Sequence, residues 1–229
     1  MILYRTKSLN NLPDKKIEEK RSVINQEADF NVKRLKLDML NRFSDSNIPL
    51  EYWNLRMEKD FTGDPNLLTF YSNYIADIAN SYSEGKGYVL AGSHGLGKTM
   101  TICCILKSCA TKGHTALYST LSDIVNVLTL GPNEDKFYAR RELKSVDFLA
   151  IDELDNRFMA NDNVSDLYAR VLESIIRTRA QNKMPTLFAT NSPNIIEAFS
   201  GSLKSSLSSL KNGYMVQVPV FGEDFRGKK

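Results

Sequence analysis

From Ile17 onward the apolar positions Ile17, Ile24, Ala28, Val32, Leu35, Met39 and Phe43 advance in steps of 7, 4, 4, 3, 4 and 4, with charged residues in the gaps. That spacing predicts one amphipathic helix. Asn47, Ile48 and Pro49 interrupt it, because the residue before a proline is steered out of the helical region. A boundary is expected here, separating a charged helical arm over residues 1–45 from a main domain over residues 46–229. Such a stripe has to be buried somewhere, either on its own domain or on a partner protein.

After Pro49 the period alternates. Asp64 and Pro65 form an N-cap and N1 pair for a helix carrying Leu67, Tyr71, Tyr74, Ile75, Ile78 and Tyr82, which Gly85 and Gly87 end. A strand at 88–91, a glycine-rich turn and an apolar helix over 98–112 follow. Residues 115–119 read as a strand, and 122–130 and 134–144 as helices parted by Gly131 and Pro132. The continuous apolar runs 148–151 and 186–189 read as strands buried on both faces, with a helix over 164–179 between them and a last strand at 215–220. Strands alternating with helices predict an α/β fold, a mostly parallel sheet flanked by helices on both faces. The only compositionally biased stretch is 200–209, with six serines in ten residues.

The chain has 229 residues, 42% apolar and 25% charged, as expected for one globular domain with a real core and an appendage. No apolar run reaches membrane-spanning length, and Met1–Asn10 lacks the apolar stretch of a secretory signal. A cytoplasmic protein without a membrane partner is therefore expected. Cys103, Cys104 and Cys109 lie in one predicted helix with no second Cys or His cluster, which suits buried thiols in a reducing compartment. The net charge of +3 is informative only when located. Residues 1–45 hold ten Lys/Arg against seven Asp/Glu, and the other 184 hold twenty of each. Long-range steering of the main domain to an acidic partner is thus not expected.

Gly92-Ser93-His94-Gly95-Leu96-Gly97-Lys98-Thr99 fits the pattern G-x-x-x-x-G-K-[ST]. Glycines let the backbone N–H groups point inward at phosphate oxygens, and the following helix adds its N-terminal partial charge. With Met100 next in the helix, residues 92–100 are the expected nucleotide contacts. Lys98 would reach the β- and γ-phosphates of ATP, and the Thr99 hydroxyl would ligate Mg²⁺. His94 occupies a variable motif position and is given no acid–base role. Asp152 and Glu153 end an apolar strand, with Asp152 lying 54 residues after Lys98. Asp152 is assigned to the metal and Glu153 to the attacking water. Asn191, beside Thr190 at the end of the next strand, either contacts the γ-phosphate or caps the turn before Pro193.

These three elements in this order resemble the AAA+ branch of P-loop ATPases. More narrowly, the chain is similar to the DnaC and DnaI helicase loaders and the IstB transposition ATPases over roughly 47–226. The likeness includes Ile48-Pro49 followed by Tyr52, Ser119-Thr120-Leu121-Ser122-Asp123, Pro185-Thr186-Leu187 leading into Thr190-Asn191, and Gly222-Glu223-Asp224-Phe225-Arg226. It implies an ATP-dependent, self-associating loader that grips a hexameric replicative helicase through residues 1–45 and contacts single-stranded DNA. Lys136, Phe137, Tyr138, Arg140 and Arg141 are the basic and aromatic cluster for DNA, set against a reading as a solvated helix diluted by Glu134, Asp135 and Glu142.

Two departures stand out. Residues 201–211, where such ATPases carry an arginine that reaches a neighbour's γ-phosphate, contain none. Lys204 is the nearest substitute, and Arg177 and Arg179 are outside candidates, so weak hydrolysis is expected. About eighteen residues follow Lys211, which predicts no full helical lid domain. Three functions remain: a helicase loader, an IstB-like transposition ATPase on double-stranded DNA, and a nucleotide-gated binding or inhibitor protein with little turnover.

Overall fold

The structure, a computed structural model, describes residues 14–154, 163–192, 215–222 and 224. The chain divides into two compact units, Met1–Asn41 and Arg42–Lys229. In the first, helix α1 (Asp14–Asp45) begins and runs past the unit's end. Val32 and Leu35 of the expected stripe are exposed, and so are Val23, Phe30 and Leu37. The latter three recur every seven residues and lie about half a turn away from the first line. The arm therefore carries two apolar lines where the spacing analysis found one.

The second unit starts within the last turn of α1, four residues ahead of the expected position 46. Arg42 Nη1 donates to the carbonyl of Ala110 at 3.1 Å, and Phe43 is buried edge-on to Trp53, with ring centroids 6.3 Å apart. A 3₁₀ turn (Leu50–Tyr52) and a short helix α2 (Met57–Asp60) follow, both unforeseen. They are fixed by Lys107, buried in the apolar helix α5 (Lys98–Thr111), whose ammonium donates to the carbonyls of Tyr52 at 2.6 Å and of Leu55. The long helix expected after Asp64 is two helices, α3 (Pro65–Ala76) and α4 (Ile78–Glu84). Asp77 leaves helical geometry between them and caps α4 through Asn80 N–H.

Among the described residues five parallel strands form the sheet: β1 (Gly87–Ala91), β2 (Ala116–Thr120), β3 (Phe148–Asp152), β4 (Thr186–Thr190) and β5 (Met215–Pro219). Their order is β2-β3-β4-β1-β5. One face, with Val89, Leu117, Leu149, Ile151 and Phe188, packs on α6 (Leu121–Leu130), α7 (Asn133–Ser145) and α8 (Asn163–Gln181). Alternate strand positions face α5, whose Ile102, Ile105 and Leu106 are fully buried. The cysteines of α5 are buried too, and burial pushes all three thiols up, so they behave as small hydrophobes. Lys204 and the serine-rich stretch 200–209 lie outside the described residues.

Arg179, considered above as a residue acting on a neighbouring subunit, is the largest fully buried side chain among the described residues. Its Nε donates to Thr186 Oγ1 at 2.9 Å. Its two terminal nitrogens donate to the carbonyls of Leu143 (3.1 Å), Val146 (2.8 Å), Asp147 (3.2 Å) and Pro185 (2.7 Å). That assignment is therefore withdrawn, because a guanidinium whose fork is filled inside the core cannot reach another chain. It ties the end of α8 to the end of α7 and to the starts of β3 and β4. Arg177, two positions away and roughly 200° round the helix, is exposed and paired with Glu173 at 2.6 Å.

Beside this junction Asp147 accepts from Thr115 N–H at 2.9 Å and lies 3.6 Å from His114 Nδ1. Burial disfavours its charge, but the bonds from Thr115 and Tyr82 outweigh that and hold its carboxyl below the ordinary 3.8.

Two outcomes follow for stability. Arg179→Met strands five buried acceptors and should lower unfolding free energy by about 3–5 kcal/mol in denaturant melts, with Arg179→Lys recovering less than half because an ammonium cannot span the fork. Asp147→Asn should destabilise by about 1 kcal/mol at pH 7. Since the folded carboxyl ionises more easily than the unfolded one, its contribution is present above about pH 4 and fades as pH falls through the folded value. Wild-type and Asp147→Asn melts should accordingly converge in acid.

Candidate functional site

The turn between β1 and α5 needs backbone that side chains disfavour. Gly95 and Gly97 have φ of 73° and 88°, and a Cβ on Gly97 would lie 2.3 Å from the Phe61 ring. The turn is anchored by Gly92 N–H to the Thr190 carbonyl at 3.2 Å and by Thr101 N–H to the Gly97 carbonyl at 2.9 Å. Lys98 is buried, and its Nζ donates to the carbonyls of Gly92 (2.9 Å) and Ser93 (2.6 Å), so its ammonium lies against the turn itself.

A cavity of about 360 Å³ opens over this turn. Its walls are Tyr52, Phe61, Thr62, Gly63, residues 94–100, Asp152, Glu153, Ala189 and Asn191. His94, Leu96, Thr99 and Met100 thus join Lys98 there, while Gly92 and Ser93 contribute the carbonyls that hold the lysine. Parallel register explains the convergence: β1, β3 and β4 all release the chain at their carboxyl ends on the same edge of the sheet.

Asp152 is buried, and both its oxygens are engaged. Oδ1 accepts from Glu153 N–H at 2.7 Å, and Oδ2 accepts from the Tyr118 hydroxyl at 3.0 Å. Burial, then the charge of Asp152, pushes the Tyr118 hydroxyl well above the usual tyrosine range, so it is a donor at neutral pH. Glu153 is exposed beside the cavity with φ of 55°, a left-handed backbone uncommon for a non-glycine residue. Thr190 is committed to structure, donating to the Leu154 carbonyl at 2.5 Å and accepting from Ser192 N–H at 3.0 Å. Asn191 is the polar group of this strand end that faces the cavity.

The donor set suits a magnesium ion that arrives with phosphates. A carboxylate has about four acceptor positions, so Asp152 keeps one on each oxygen for a metal-bound water, and Thr99 lines the same cavity. Among the described residues no group of three or more His, Cys, Asp or Glu could hold a metal by itself.

Several site residues escaped the sequence reading. Phe61, Thr62 and Gly63 line the cavity because Asp64, recognised there only as a cap, does two jobs. Its Oδ1 accepts from Asn66 N–H at 2.9 Å to start α3, and its Oδ2 accepts from Phe221 N–H at 2.8 Å, 157 positions away. Tyr118 had no local signal at all. On α7, Phe137 and Tyr138 are 64% and 56% exposed with rings 5.7 Å apart, Arg140 and Arg141 are exposed, and Lys136 is half-buried. This cluster is separate from the cavity lining.

The fold, a parallel sheet flanked by helices and preceded by a helical N-terminal segment, is similar to that of P-loop AAA+ domains. Within that class the likeness is to helicase loaders of the DnaC/DnaI type. The chain is 24% identical over 132 residues to the replicative helicase loader DnaI of Bacillus subtilis (strain 168), a match covering 56% of this chain and 41% of that protein. It superposes on a crystal structure of the DnaC helicase loader with a TM-score of 0.58 at 20% identity, covering 76% of this chain and all of the other. The replication initiator DnaA bound to AMPPCP and single-stranded DNA gives a TM-score of 0.58 at 18% identity, covering 76% of this chain and 51% of the other. No protein-family model matches the chain. Among the described residues no helix is long and apolar enough to cross a membrane.

Proposed function

We propose that this protein is an ATP-binding loader that delivers a hexameric replicative helicase to single-stranded DNA in the bacterial cytoplasm, with weak ATP hydrolysis of its own. The observation that carries the reading is the convergence of the phosphate turn, Asp152, Glu153 and Asn191 on one cavity, in a chain whose sequence match is to a helicase loader. The DnaA relative bound to an ATP analogue and single-stranded DNA supports both ligands.

In this reading the N–H groups of residues 95–99 and the α5 terminus bind phosphate, and Lys98 leaves the Gly92 and Ser93 carbonyls for the β- and γ-oxygens. Mg²⁺, when bound with the nucleotide, neutralises phosphate charge. Thr99 and Asp152 hold that ion, Glu153 orients the attacking water and accepts its proton, and Asn191 positions the γ-phosphate. Arm residues 1–45 dock the helicase, with exposed apolar side chains such as Phe30, Leu35 and Leu37 as anchors. Phe137 and Tyr138 stack bases, with Lys136, Arg140 and Arg141 on the backbone. Self-association occurs through the AAA+ domain.

A second reading, a nucleotide-gated holder with little turnover, is favoured by the finger candidates. Arg179 is locked in the core, Arg177 is paired with Glu173, and residues 201–211 hold no arginine. A missing finger lowers turnover by about 10³ or more. An IstB-like role has no such observation in its favour.

Lys98→Ala should abolish ATP binding, whereas Glu153→Gln should bind ATP normally and lose at least about 100-fold in turnover. Equal hydrolysis by Glu153→Gln and the wild type would remove Glu153 from the chemistry. The full chain should capture the replicative helicase of its host cell in an ATP-dependent way, and deletion of residues 1–45 should abolish capture. Capture by the deleted chain would overturn the docking role of the arm.

A further inference from the structure

We propose that Tyr118 is a positioning residue for Asp152, fixing the carboxylate so that it can accept the water shell of a magnesium ion brought in with nucleotide. The proposal rests on the nucleotide-binding reading above. Its basis is the pairing of β2 with β3. Tyr118 lies opposite Ala150, and Thr120 lies opposite Asp152. Strand periodicity puts Tyr118, Ala150 and Asp152 on one face of the sheet, with small Ala150 leaving room beside it. The tyrosine ring spans the diagonal step, a distance long side chains can cover, and its hydroxyl reaches Asp152 Oδ2 at 3.0 Å in a buried setting.

A carboxylate held by one donor can still swing about its own bond. Glu153 N–H holds Oδ1 at 2.7 Å, and the Tyr118 hydroxyl holds the other oxygen. Two donors on two oxygens fix the carboxylate plane, and each oxygen retains an acceptor position for a metal-bound water. Outer-shell partners of this kind commonly set metal affinity by a factor of ten or more.

The tyrosine is itself fixed from the other side. β2 is an edge strand, and its outer edge at this residue is occupied by the segment after α1. Tyr118 N–H donates to the Ser46 carbonyl at 2.8 Å, and Asn47 Nδ2 donates to the Tyr118 carbonyl at 3.0 Å. Asn47 sits at φ 52°, a conformation asparagine tolerates better than most residues. The same residue thus joins the segment following α1 to the metal-side carboxylate.

The test is a titration of the full chain with a fluorescent ATP analogue, once with Mg²⁺ and once with EDTA. The ratio of the two affinities reads what the metal adds, independent of turnover. Tyr118→Phe keeps the ring and removes only the hydroxyl. It is expected to bind in EDTA as the wild type does and to lose about tenfold of the Mg²⁺-dependent gain. An unchanged gain overturns the proposal, and so does an equal loss in both conditions, which marks a general structural effect. If the wild type binds the analogue in neither condition, the nucleotide-binding reading fails instead. Should Tyr118→Phe not fold, Asn47→Ala is titrated in its place. Loosening the Tyr118 backbone should then cut the gain about threefold with EDTA binding unchanged, and an unchanged gain in folded Asn47→Ala overturns the proposal.

Discussion

The parallel direction of the five strands is the constraint from which the rest of the molecule follows. Parallel neighbours cannot be joined by tight turns, so each connection crosses a face of the sheet, and helices cover both sides. All strands then release the chain at one edge. That single fact puts the phosphate turn after β1, Asp152 at the end of β3 and Asn191 after β4 around one cavity, although they are far apart in sequence. At the opposite edge the same constraint crowds the starts of β3 and β4 against the ends of α7 and α8, where carbonyls converge without helical partners. The Arg179 guanidinium fills that junction and bonds five acceptors at once. A buried cation is tolerated there because it replaces water for carbonyls that would otherwise be stranded.

Much of this was legible from local pattern. The phosphate turn is a short contiguous motif, and the buried strands announce themselves as apolar runs, so the strand order along the chain and the edge carrying the chemistry were recoverable. Arg179 shows a subtler case. Leu172, Ile175, Ile176 and Arg179 stand at helical spacing on one stripe, and all four are buried. Extending the apolar stripe by one turn points the arginine inward, yet charge alone suggested a surface role. Asp64 and Tyr118 were illegible for a different reason. Their decisive partners, Phe221 and Asp152, are 157 and 34 positions away, and no periodicity links them. The split of α3 from α4 at Asp77 and the turns held by Lys107 belong to the same class, local conformations decided by a distant neighbour.

The arm and the segment that follows it gain a sharper description. Helix α1 is nearly balanced in charge, with eight Lys/Arg against seven Asp/Glu, and has apolar residues on two sides, Val32 and Leu35 on one and Val23, Phe30 and Leu37 on the other. Where this helix ends, Arg42 and Phe43 already belong to the second unit, and Ser46 and Asn47 bind the backbone of Tyr118. The segment that follows α1 is thus joined to the Asp152 carboxylate through Tyr118, by a few hydrogen bonds at the outer edge of β2.

In the proposed function, Mg²⁺ and ATP bind in the cavity over the phosphate turn. Amide hydrogen exchange on the full chain, with and without saturating Mg²⁺ and ATP, tests it most directly. Exchange should slow at residues 92–100 and over β3 and the two residues after it, 148–154, with no change in the buried last turn of α8 around Arg179. Unaltered exchange over 92–100 in the presence of nucleotide would contradict it.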